Sequence, residues 1–182
     1  MKVEGYLDTE LRYGSVSRFN HWVGALLVVG LLAIGLYFHD MPQGDEKFFW
    51  IRLHASIGML GFAFLLFRIL WRAMITGPQP AHQSRKLSIL TVWSHRLILF
   101  LIVVLLVSGP FAIWSGGRPI NVFDWVVIPG PIGKWTALHE ILENIHGLAG
   151  RILMFLVIGH IVMAAKHHFV DKDQVMKRMT GA

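Results

Sequence analysis

The chain has 182 residues, is 54% hydrophobic, carries a formal net charge of +6 and contains no cysteine. That is too apolar for an ordinary soluble domain, and in so greasy a chain the positive excess marks membrane topology before it marks a nucleic-acid footprint. The missing cysteines exclude disulfides, cysteine-held iron–sulfur clusters, thiolate haem ligation and covalent haem attachment through C-x-x-C-H.

The first eighteen residues are polar and mix Lys2, Arg12 and Arg18 with Glu4, Asp8 and Glu10. The apolar run that follows, residues 19–38, is too long for a signal-peptide core and has no small-residue cleavage site after it, so it is expected to stay as a membrane anchor. A short link with Pro42 and Gly44 as breakers leads to a second apolar run, residues 48–71. A polar link, residues 72–91, precedes a third run, residues 92–114. The longest link, residues 115–139, mixes Gly116, Gly117, Pro119, Pro129 and Pro131 with Val122, Phe123, Trp125 and Val126, which predicts a folded cap on the membrane interface. The fourth run, residues 142–165, closes the set.

Each run approaches the twenty or so residues a helix needs to cross a bilayer. Backbone groups in lipid must be satisfied within the segment, and none of the runs alternates as a barrel strand would. The expected fold is all-α: one domain over residues 1–182, a transmembrane four-helix bundle with a longer periplasmic link between helices three and four. Lys2, Arg12, Arg18, Arg68, Arg72, Arg85, Lys86, Arg96, Lys166, Lys172, Lys177 and Arg178 cluster at the termini and the second link, whereas Lys47, Arg52, Arg118 and Lys134 mark the other side. The positive-inside rule therefore puts both termini in the cytoplasm.

Ten histidines stand out. Antiparallel helices sort four of them into two levels: His21 and His160 near the inner face, His54 and His146 near the outer face. His146 and His160 are fourteen residues apart, roughly 21 Å along a helix axis and close to four whole turns, so their rings point to nearly the same side. One helix then offers an imidazole at each level to a shared interior. The chemistry that wants this is two b haems stacked across the membrane, each iron held between imidazoles of different helices. His95 competes with His160 as partner to His21 or serves a haem propionate, and His139 competes with His146. His39, His82, His167 and His168 read as interfacial polar residues. Gly24, Gly58 and Gly150, each near a candidate ligand, make room for a macrocycle or for close helix packing. Arg18 and Arg68 inside, and Arg52 and Arg118 outside, are candidate propionate partners.

The chain also resembles the bacterial cytochrome b561 family of di-haem, four-helix membrane proteins. The resemblance lies in "RYGSVSRFNHW" opening helix one, "LHASIGML" and "LLFRILWR" in helix two, and "GHIVMAAKHHFVDKD" with "MKRM" at the end. It implies that His21 pairs with His160 at the inner haem iron and His54 with His146 at the outer one. It further implies an inner-membrane electron carrier linking the ubiquinone pool to another redox partner, and superoxide oxidase-like members suggest superoxide as the outer donor. Arg52, Arg118 and Lys134 are the cations available to steer such an anion, although Asp40, Asp45, Glu46, Asp124, Glu140 and Glu143 share that side. Two other classes compete: a cytochrome anchor subunit that wires a partner dehydrogenase or hydrogenase to quinone, and a haem-free transporter using histidines for metal or protons.

Overall fold

A computed structural model describes residues 5–78 and 85–181; Lys2 and His82 lie outside them. Four helices dominate: α1 Ser15–His39, α2 Asp45–Met74, α3 Arg85–Ser115 and α4 Thr136–Lys166. All four are long and apolar enough to cross a membrane. Each extends beyond its apolar run, because the runs mark only hydrocarbon. The added turns carry headgroup-level residues such as Asp45 and Glu46, which also complement the dipole at the start of α2.

The bundle is apolar on its outside, with Leu26, Leu60, Phe100 and Phe155 all exposed. A soluble protein would not tolerate that surface; lipid requires it. The buried interior is small: Val28, Leu65, Leu101, Ile102, Ala149 and Leu153 form one cluster. In sequence these residues fall between the two histidine levels on every helix. α1 packs mainly on α2 and α3 mainly on α4, while α1 and α4 meet only loosely.

The long link is folded, as expected of it, with strands that its Pro/Gly-rich composition did not announce. β1 Ile120–Val122 and β2 Val126–Ile128 form an antiparallel hairpin. Phe123 and Asp124 in its turn have φ of +49° and +59°, a left-handed conformation that is uncommon for a bulky aromatic. The tip is held down by α2: Ser56 Oγ donates to the Asn121 carbonyl (3.1 Å) and accepts from the Phe123 N–H (3.0 Å), and Arg52 grips the Asp124 carboxylate. The Trp135 N–H donates to the Ser115 carbonyl at 2.8 Å, so the two ends of the link meet.

After α4 the chain makes one wide π-helical turn, His167–Asp171, and a short helix α5, Val175–Thr180. Lys166 pairs with Asp171 (2.6 Å), and His167 Nδ1 pairs with Asp173 (2.6 Å). Asp173 also accepts the Val175 N–H at 2.9 Å, fastening the start of α5. Partial burial alone would raise the Asp173 pKa. The Val175 N–H, His167 and the nearby Arg178 outweigh it and hold the carboxyl below its usual value. The Trp22 indole N–H donates to the Met179 carbonyl (3.1 Å), tying α5 to α1.

Candidate haem pockets

At the level that the Lys and Arg pattern assigns to the outer face, α2 presents His54 and α4 presents His146, with ring centres 6.1 Å apart and planes crossing at 87°. Two imidazole nitrogens on opposite sides of one metal, each at a bond of about 2 Å, put ring centres about 6 Å apart. The pair therefore has the spacing that a single iron between the rings requires. His146 is also set in the required tautomer. Ser108 Oγ lies 2.7 Å from the Val104 carbonyl and 3.0 Å from His146 Nδ1. A hydroxyl has one proton; it goes to the carbonyl, so Ser108 accepts from Nδ1–H and leaves the lone pair on Nε2. Such a second hydrogen bond is how metal-binding histidines are usually oriented. His54 Nδ1 is buried without a hydrogen bond of normal geometry, although the Leu31 backbone approaches its ring.

Two glycines make space here. A Cβ at Gly35 of α1 would lie 3.3 Å from His54 Cε1, and a Cβ at Gly109 of α3 would lie 3.0 Å from His146 Cε1. The glycines singled out from the sequence act elsewhere. Gly24 admits the Arg68 side chain, while Gly58 and Gly150 face Leu31 and Leu32 as ordinary helix-packing positions.

At the inner level α1 presents His21 and α4 presents His160, again 6.1 Å apart, with planes at 55°. His95 of α3 lies 5.2 Å from His160, closer than two imidazoles on opposite sides of one iron would sit. Arg68 of α2 donates to the Asn20 carbonyl at 2.9 Å and approaches His21 Nδ1 at 3.4 Å. A ring that held iron through Nε2 would keep its proton on Nδ1; this weak contact would then be lost, and Arg68 would be available to an anionic group. The side-chain oxygen of Asn20 is buried beside this site without a partner.

The remaining candidates are spread out. His139 donates from Nδ1 to the Ala112 carbonyl (2.8 Å), which ties its ring to α3, and its Nε2 lies 3.5 Å from Glu143. Arg52 is committed to Asp124, with Nη2 2.6 Å from Oδ2. Arg118 lines a cleft of about 360 Å³ with Trp114 and Lys134; the Trp114 indole N–H is buried without a partner. Arg18 lies against the backbone of Gly181. His167, Asp171 and Asp173 come within ligand distance of one another, but Lys166, His167 and the Val175 N–H already occupy the carboxylates.

A shared spacing links the site residues, and the His146–His160 separation is one case of it. On α1 it separates His21 from Gly35, on α2 His54 from Arg68, on α3 His95 from Gly109, and on α4 His146 from His160: fourteen residues each time. Every helix thus aims one residue at each level from a single face. Arg68 was already a sequence candidate; Gly35 and Gly109 were findable by stepping fourteen residues from each histidine, and Ser108, one position off that step, was not.

Comparison with known proteins places the chain among relatives of one family. The family described as prokaryotic cytochrome b561 matches residues 12–182. The chain is 32% identical over 178 residues to cytochrome b561 homolog 2 of Escherichia coli strain K12, covering 97% of this chain and 95% of that protein. It is 24% identical over 174 residues to cytochrome b561 homolog 1 of the same organism, covering 92% and 96%.

Proposed function

The chain belongs to the prokaryotic cytochrome b561 family, and from that premise we propose that it holds two b haems and moves electrons between a donor at the outer face and the quinone pool. The family and the four spans make this a multi-pass bacterial membrane b-type cytochrome of electron transfer. The observation that carries the rest is the pair of 6.1 Å imidazole separations, one at each level. His54 and His146 would hold one haem, His21 and His160 the other. When bound, a b haem between two imidazoles supplies one-electron chemistry with no open coordination position.

The protein's own residues do the rest. Ser108 orients His146. Gly35 and Gly109 keep side chains out of the outer pocket. Arg68 offers a cation to an inner propionate, and Arg18 is a further candidate at that face. Arg52 reaches an outer propionate only by sharing its guanidinium with Asp124. The Arg118–Lys134 cleft is the outer cationic feature suited to a small anionic donor such as superoxide. Both termini face the cytoplasm in this reading, as the Lys and Arg distribution supports.

The test is a haem count. Wild-type protein is expected to give two haems per chain by pyridine haemochrome, and His160→Ala one. Two haems retained in His160→Ala would refute the inner pairing. Stopped-flow mixing with superoxide and with quinol in turn then identifies the partners.

A further inference from the structure

Arg151 is the charged residue that the haem pockets leave unused. It stands fifteen residues from either end of α4, a depth at which ionisable groups are costly and usually serve a purpose. Its guanidinium bends back over Gly147, one turn toward the outer face, as long cationic side chains do when anchored below a membrane surface. There Nη1 donates to Nε2 of His39 at 3.2 Å. Arginine only donates, so that nitrogen carries the lone pair and the His39 proton sits on Nδ1.

The place of this contact matters. His39 ends α1 and lies one turn beyond Gly35, on the same helix face, and Gly35 is the position that abuts the His54 ring. Arg151 follows His146 by five residues on α4. The two side chains therefore meet at the rim of the outer pocket, across the loosely packed α1–α4 seam. Arg151 is exposed, which at mid-helix means exposed to lipid. Among the described residues His39 is its hydrogen-bond partner and no carboxylate pairs with it. Most of its five N–H donors are left for a ligand.

We propose that Arg151 and His39 form a docking site for the carbonyl headgroup of a membrane-soluble quinone, which enters from lipid between α1 and α4. The proposal rests on the quinone-linked reading above. A quinone carbonyl accepts hydrogen bonds, and a charged donor makes the stronger kind. His39 is half exposed, with Asp40 3.9 Å from its Nε2, so the headgroup would sit between lipid and outer water. A phospholipid phosphate has the same acceptor chemistry and comes from the same membrane. The quinone is the better occupant because the donors border a redox pocket and the arginine is rooted at mid-helix.

The experiment uses haem-loaded protein in phosphatidylcholine nanodiscs, titrated with decylubiquinone. Wild type should bind it. Arg151→Gln should bind about tenfold or more weakly, Arg151→Lys should fall between, and His39→Gln should weaken binding by a smaller factor, all with unchanged haem spectra. If wild type binds and Arg151→Gln binds equally well, the site is wrong while the quinone reading survives. If wild type itself does not bind, the quinone reading fails and takes the site with it. If Arg151→Gln loses the haem spectrum, His39→Gln decides: unchanged decylubiquinone binding there overturns the site. Native mass spectrometry with added phosphatidylglycerol separates the two sources. Lipid lost from Arg151→Gln with quinone binding intact would overturn the proposal in favour of a lipid site.

Discussion

Ser108→Ala isolates a single hydrogen bond in the outer pocket. In wild type the hydroxyl gives its proton to the Val104 carbonyl and accepts from His146 Nδ1–H. Alanine removes the acceptor and leaves that N–H unpaired in a buried place, since Ser108 is 3% exposed. An unsatisfied buried donor costs about 1–3 kcal/mol. If the cost falls on the ligand-ready conformation of His146, outer-haem affinity should drop about 5- to 100-fold, in the range seen for outer-shell partners of metal ligands. The lost bond also makes the imidazole a weaker electron donor, so the outer haem should become easier to reduce. The inner level lies roughly 21 Å away along α4, and changes that far apart act independently. The assay is haem retention under competition with apomyoglobin, together with a spectroelectrochemical titration of both haems. One haem should weaken and shift in potential while the other stays put. Unchanged affinity and potentials in Ser108→Ala, or equal changes in both haems, would refute the reasoning.

Gly109→Leu and Gly35→Leu should each displace the outer haem and spare the inner one, because even a Cβ there meets a histidine ring at 3.0 or 3.3 Å; a haemochrome count of two per chain would contradict this. His139→Ala should keep both haems and cost about 0.5–1.5 kcal/mol through the lost bond to Ala112, read as a modest fall in thermal stability; loss of one haem would move the outer ligand from His146 to His139. Asp173 has a folded-state pKa below its unfolded value of about 4, so its contribution is present above that value and lost as pH falls through the folded pKa. Protease susceptibility of the carboxy-terminal helix should therefore rise on acidification below about pH 4, and Asp173→Asn should show that susceptibility already at pH 7.

The four spans were legible because lipid imposes one solution on any long apolar run. Their ends were not, because α4 starts at Thr136 with residues as polar as those of a loop, and helix can continue where hydropathy no longer reports it. The hairpin was hidden for a related reason. Strands of three residues carry almost no periodicity, and the Phe123–Asp124 turn lacks the glycine that usually announces a left-handed conformation. His54 was singled out by its level, and His146 by its level and its spacing from His160. Their supporting residues were harder to see. A glycine that admits a ring and a glycine that admits a neighbouring helix look the same in one sequence, which is why Gly58 read equally as either and Gly35 did not stand out. Ser108 is one serine within a long apolar run. Only its distance to His146 separates it from serines such as Ser115, which bond back to their own helix.

The fourteen-residue spacing has a mechanical reading that single contacts do not give. Fourteen residues is close to four turns, so the two levels stay on one face only if each helix remains regular between them. Between the levels lie the buried apolar residues, Val28 on α1, Leu65 on α2, Leu101 and Ile102 on α3, and Ala149 and Leu153 on α4. Well-packed interiors resist small changes of volume and position, so this plug sets the rotation of each helix. It thereby aims His21 and Gly35, His54 and Arg68, His95 and Gly109, and His146 and His160 together. The core would then serve placement as much as stability. Overpacking it with Ala149→Leu, on the helix that supplies a ligand to both levels, would disturb the two pockets jointly, whereas any ligand or lining change disturbs one. Joint against separate loss is a difference in pattern rather than in size. It distinguishes a bundle that merely contains two sites from one whose single core sets the geometry of both.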